Sequence, residues 1–266
     1  MPKLVTIDER KMASGKGVRV KGVNLDNVLG FGRQDDGVMN GVWLKGLVAG
    51  TGAIATLLIP ASAFAQSAAD YRQQGLSLRE QDRYPEAIAV LQKSVELEPQ
   101  SQSGRVLLGW TQHKAGQTPA AEKTLLDTFS LNPFDVPTLN ALGIVYLVGG
   151  KLNNAIAAHS WAALLKPNNE IAHYNLSLAL ERVGQYDWAI ATAKEAAKLE
   201  PSNPHPLVAE AIAHFGNQET SLAQTLLRQA IALDSRYSDP NFLIYLNEAG
   251  FSADQIRRSQ TVLRSL

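Results

Sequence analysis

Five histidines, 25 acidic side chains and no cysteine are the raw material for any chemistry this 266-residue chain performs. Without cysteine there is no thiol nucleophile, no Cys-rich zinc site and no disulfide framework. His159 and His173 come nearest to a metal pair, because they fall on successive predicted helices. A catalytic zinc takes three protein ligands, and no third stands near them. They read, with His113, His205 and His214, as packing or surface residues rather than a metal site. No His-Glu-x-x-His, Gly-x-Ser-x-Gly or Gly-x-Gly-x-x-Gly occurs in a suitable context. Gly17 and Gly22 have the spacing of a phosphate loop, but Val23 and Asn24 stand where lysine and a hydroxyl residue are needed. The residues therefore predict no enzymatic activity, no metal and no cofactor. A formal net charge of zero gives no electrostatic footprint for nucleic acid.

With chemistry excluded, the elements carry the argument. Pro99, Pro133, Pro167 and Pro201 stand 34 residues apart, each closing an apolar-periodic run. Proline belongs just past a helix end, where its missing N–H and its clash with the preceding turn cost nothing. A period of this length predicts a helical hairpin that recurs and stacks on its neighbours. The units are 68–101, 102–135, 136–169 and 170–203, with a degenerate fifth at 204–237, in which Glu210 and Ser235 replace the expected leucine and proline. Their twentieth place is Ala87, Ala121, Ala155 and Ala189, and their eighth is Gly75, Gly109, Gly143 and Ser177. Small residues at both places let the two helices of a hairpin approach closely. Gly116, Gly150 and Gly184 are expected to end first helices in the left-handed conformation.

These residues resemble the tetratricopeptide repeat (TPR) family. Unit 136–169 matches its motif most fully, with Leu142, Gly143, Tyr146, Gly150, Ala155, Ala162 and Pro167. The resemblance implies an all-α fold, a right-handed α-solenoid of about five antiparallel hairpins. Residues 238–266 fit a C-terminal helical cap. In it, Asp239-Pro240 is expected to open a helix that stops at Gly250, and Ser252 to Gln255 forms a capping-box start for a last helix. That helix would carry Ile256, Val262, Leu263 and Leu266 on its apolar positions, with Arg257, Arg258 and Arg264 on a solvated face.

In TPR proteins the first helices line a concave groove, and the resemblance carries this over to Arg72, Trp110, Asn140, Ile144, Tyr174, Asn175 and Leu178. They are expected to hold a peptide or helix of a partner protein, with apolar anchors supplying burial and amides satisfying backbone groups. The competing readings are a lining that is largely inter-repeat core, with a C-terminal helix or another subunit filling the groove, and a small-ligand or lipid-binding accessory of an envelope complex. Leu76, Leu107, Pro137 and Ala141 occupy places where the family's clamp for chaperone C-termini needs polar or cationic residues. That clamp is therefore not expected.

Residues 1–65 lie outside the repeat. Twenty uncharged residues, 46–65, follow Lys45, and their apolar part is broken by Pro60 before Ala63-Phe64-Ala65. This is the layout of a secretory signal peptide over 39–65, cut after Ala65, with no adjacent arginines to favour twin-arginine export. An uncleaved membrane anchor is the alternative. Residues 1–38 read as a disordered extension or a misassigned start. The leader holds eight basic and five acidic residues, leaving 17 and 20 and a net charge of about −3 in the remainder. The expectation is an exported, periplasmic or secreted protein that binds neither nucleic acid nor, after cleavage, membrane.

Overall fold

A period of 34 residues turns into two helices and two connections, repeated. A computed structural model describes residues 66–266. The leader at 39–65 and the extension at 1–38 lie outside the described residues. The hairpins are α1 Ala68–Glu80 with α2 Tyr84–Leu97, α3 Gln102–Lys114 with α4 Thr118–Leu131, and α5 Val136–Val148 with α6 Leu152–Leu165. They continue with α7 Glu170–Arg182 and α8 Tyr186–Leu199, then α9 Pro204–Gly216 and α10 Thr220–Leu233. Every first helix has 13 residues and every second helix 14. No strand occurs among the described residues.

Local chemistry sets these bounds. Ser101, Asp135, Asn169 and Asn203, each two residues past a repeat proline, accept a backbone N–H from the first turn of the next helix. Ser67 does the same for α1 and completes a capping box with Asp70. Gly116, Gly150 and Gly184 have φ of 75°, 74° and 77°, the left-handed turn expected of them. Asp82 and Gln218 take that place in the first and last hairpins, at φ 60° and 66°.

Packing follows the small residues. Ala87, Ala121, Ala155, Ala189 and Ala223 are fully buried. A Cβ added at Gly75 or Gly109 would stand 2.6 Å from Leu91 or 2.7 Å from Leu125, so glycine is what admits those leucines. In the third hairpin, Gly143 admits His159 instead, and a Cβ there would stand 2.5 Å from its Nε2. Consecutive first helices touch one another, α3 with α5, α5 with α7 and α7 with α9, and consecutive second helices do not do so comparably. The first helices therefore line the inner side of the curve, and Thr138 to Leu147 of α5 are buried all round.

The C-terminal region departs from expectation in three ways. Asp239 Oδ1 accepts the Asn241 N–H at 2.8 Å, so Asp239-Pro240 forms a turn and no α-helix starts there. The next element is instead a 3-10 helix, Phe242–Ala249, which comes after a shorter one at Ser235–Ser238. Its three-residue turn stacks Leu243 and Leu246 on one side, and both are buried. The last helix, α11 Ala253–Arg264, has the expected Ser252–Gln255 capping box. Leu266 lies beyond it and is exposed, and Arg258 leaves the solvated face to pair with Glu181.

Candidate functional site: the concave face

First helices present one side inward because their second helices cover the other. The concave face is thus built from α1, α3, α5, α7 and α9, and each expected groove residue can be placed on it. Arg72 is tied within its own hairpin. Its Nη1 pairs with Glu98 Oε2 at 2.6 Å, beside Ser94, whose hydroxyl donates to the Ala68 carbonyl at 2.9 Å. The side chain fastens α1 to α2. Trp110 is only 3% exposed and stacks against His113, with ring centroids 5.1 Å apart. Asn140 exchanges amide hydrogen bonds with Asn169, at 3.0 and 3.4 Å. Its polar group thus ties α5 to the cap of α7. Ile144 is buried in the main apolar cluster with Leu147 and Leu178.

The remaining three lie beneath the chain's own C-terminal segment. Tyr174 donates its hydroxyl to the Ala249 carbonyl at 2.6 Å, and its ring sits 6.3 Å from that of Phe251. A Cβ on Gly250 would stand 3.6 Å from Asn175 Oδ1, 3.6 Å from Leu178 and 3.7 Å from Leu147. Gly250 itself has φ +89°, a conformation other residues adopt only with strain. The amide of Asn175 donates to its own helix, at the Ile171 carbonyl. Tyr174, Asn175 and Leu178 therefore do not line an open groove in this structure, because residues 249–255 cover them. The apolar floor is the reason, since leaving Leu147, Leu178 and Ile212 in water would forfeit their burial energy.

Charge completes the seat. The Gln255 amide donates to the Leu178 carbonyl at 3.0 Å and to Glu181 Oε2 at 2.8 Å, and Arg258 pairs with Glu181 Oε1. Burial pushes the Glu181 carboxyl up, and the Arg258 guanidinium pulls it back. Burial likewise raises the Tyr174 phenol well above its ordinary value. It lowers His113 and His205 to about 4. His159, wholly buried against Gly143, falls to about 3. His173 Nε2 meets the Pro167 carbonyl at 2.8 Å, away from His159. Among the described residues no three His, Asp or Glu side chains could hold a metal.

Sequence reasoning missed the partners Phe251, Gln255 and Ala249. A weak signal existed in Gly250-Phe251, an aromatic placed directly after a glycine stop.

This architecture has known counterparts. Residues 78–233, more than half of the chain, match the family model described as Psidin, N-terminal TPR repeats region. The chain belongs to the tetratricopeptide repeat family. The peroxisomal targeting signal receptor of Kluyveromyces lactis is 26% identical over 141 residues, 53% of this TPR chain and 24% of the relative, so the chain spans about a quarter of that protein's length. Among solved structures, MamA 41-end from Desulfovibrio magneticus RS-1 aligns with TM-score 0.58 and 17% identity, over 63% of this chain and 95% of that one. YrrB, described as a TPR protein with an unusual peptide-binding site, aligns with TM-score 0.54 and 15% identity, over 68% and 92%. At these identities the structures share the fold. Among the described residues no helix is long and apolar enough to cross a membrane.

Proposed function

We propose that this TPR chain is an exported, non-enzymatic scaffold that binds a peptide or helix of a partner protein on its concave face. One observation carries the reading. The face already holds a stretch of chain, residues 249–255, by the means a peptide receptor uses. Tyr174 takes a main-chain carbonyl, Leu147 and Leu178 form an apolar floor, and Glu181 takes a cation and an amide. The C-terminal segment acts as an internal stand-in, and a partner enters from the α1–α5 end, where Leu76 and His113 are only half-buried. The relative named as a targeting signal receptor and the neighbour described with a peptide-binding site support protein recognition as the use of this fold. Export rests on Lys45, the uncharged stretch to Ile59, Pro60 and Ala63-Phe64-Ala65.

Crosslinking and mass spectrometry in an envelope fraction test the binding. The expected result is one stoichiometric protein crosslinked to α1, α3 or α5, and lost when Trp110→Ala and Tyr174→Ala are combined in a chain that circular dichroism shows to be folded. Unchanged capture by that folded variant removes the groove reading. N-terminal sequencing of the isolated protein should begin at Gln66, and another start overturns the leader.

A further inference from the structure

The repeat prolines do more than end helices, because the carbonyls of the first three take a hydrogen bond from a side chain of the next repeat. The Pro99 carbonyl accepts from Arg105 Nε at 2.6 Å, and the Pro133 carbonyl accepts from Trp161 Nε1 at 3.0 Å. The Pro167 carbonyl sits 2.8 Å from His173 Nε2. Arg105 and His173 hold the fourth place of their repeats. Where that place is Leu139, the donor comes instead from Trp161, at the twenty-sixth place. In the fifth unit both places are silent. Leu207 stands at the fourth, Gln229 at the twenty-sixth, and among the described residues no side chain donates to the Pro201 carbonyl.

Space has been cleared at the same spot. Moving 68 residues along the array replaces Phe129 by Ala197, Phe134 by Ser202, Trp161 by Gln229 and Leu164 by Ala232. In the earlier copy the Trp161 indole fills the notch and lies 6.0 Å from the Phe134 ring. In the later copy a hollow of about 330 Å³ opens between α8 and α10, walled by Pro201, Leu207, Ala232 and Leu233. It is open to solvent on one side, as the notch filled by the part-exposed Trp161 is in the earlier copy. A mainly apolar hollow bordered by the Pro201 carbonyl and the Gln229 amide fits a flat apolar group with one N–H.

We propose that this hollow receives the tryptophan side chain of a partner protein, its indole N–H on the Pro201 carbonyl, as Trp161 sits on Pro133 within the chain. The inference rests on the reading of the chain as a protein-binding scaffold but concerns the second-helix side, apart from the concave face. The test is a titration of the isotope-labelled full chain with N-acetyl-tryptophanamide and with its 1-methylindole analogue, monitored by amide chemical shifts. Saturable shifts are expected at Ala197, Gln229 and Ala232, with about fivefold weaker binding of the methylated probe, as loss of one hydrogen bond implies. Unsaturable shifts, shifts elsewhere, or equal affinity for both probes overturn it. Gln229→Trp should fill the hollow from within and abolish probe binding, and Ala232→Leu should weaken it. Probe binding that survives in folded Gln229→Trp, or that is undiminished in folded Ala232→Leu, also overturns it. Unchanged capture by the Trp110→Ala plus Tyr174→Ala variant, with the probe still bound, would sink only the concave-face reading. Failure of the probe leaves groove capture untouched.

Discussion

Hairpins α1–α2 and α9–α10 share a length and a register, yet they are held by different means. At the N-terminal end, Ile88, Leu91, Leu107 and Leu108 form a small core of their own, supplemented by the Arg72–Glu98 pair and the Ser94–Ala68 bond. At the C-terminal end, Val208, Ile212, Leu243, Leu246, Phe251 and Val262 join the apolar cluster that runs back to Trp110. Each hairpin of a solenoid contacts mainly its neighbours. An end that gains a roof over its concave face therefore gains contacts that the periodic part cannot supply. The comparison places the most resistant structure in α7–α11 and the most easily opened in α1–α2.

The strongest blow to that comparison is Phe251→Ala. Truncating this buried ring should cost about 3–5 kcal/mol, and hydrogen exchange should quicken in α9 and α11 while α1–α4 keep their protection. A loss spread evenly over the array would show that the two ends are not separate. Acid should act on both ends together. His113, His159 and His205 have folded pKa values of about 4, 3 and 4, below the ordinary 6.5. The unfolded chain thus binds more protons below pH 6.5, and stability present above that pH is lost as pH falls. Between pH 7 and 5 each histidine should cost about 2 kcal/mol. The raised Glu181 and Glu210 carboxyls work in the opposite direction and soften the slope. Denaturation at the two pH values measures the slope. His159→Leu, which restores the leucine found at Leu91 and Leu125, should shallow it and add about 1–2 kcal/mol at pH 7, because both ring nitrogens are buried without a partner.

Smaller changes sharpen the contrast. Tyr174→Phe removes the bond to Ala249 and should cost about 1 kcal/mol, read as faster exchange confined to residues 249–259. Gln218→Gly, in the left-handed turn of the last hairpin, should stabilise by about 0.5–1 kcal/mol in thermal melts.

The five hairpins were legible because a 34-residue period writes the same constraint several times, at alanine 20, glycine 8 and the proline. Such redundancy is absent where the chain stops repeating. Asp239-Pro240 carries helix-start residues, but Leu243 and Leu246 favour the tighter 3-10 turn once both are buried in the C-terminal core. Groove residues were harder still. Asn140, Arg72 and Tyr174 sit at the expected places on the inner face, but what they touch depends on Asn169, Glu98 and Ala249, at 29, 26 and 75 residues' remove. A pattern that reports which side of a helix faces inward says nothing of what comes to meet it. His159 has the same lesson in reverse, since its place in the repeat, shared with Leu91 and Leu125, identifies a core position whatever its side-chain chemistry.

The capping residues have a practical consequence. Ser101, Asp135, Asn169 and Asn203 belong by numbering to the tail of one unit but serve the first turn of the next. Anyone exchanging repeats between proteins, or building a longer array from this one, should therefore cut ahead of these residues so that each insert carries its own starter. A junction placed one residue later leaves every grafted helix to borrow its neighbour's, at about 1 kcal/mol for each one that does not match.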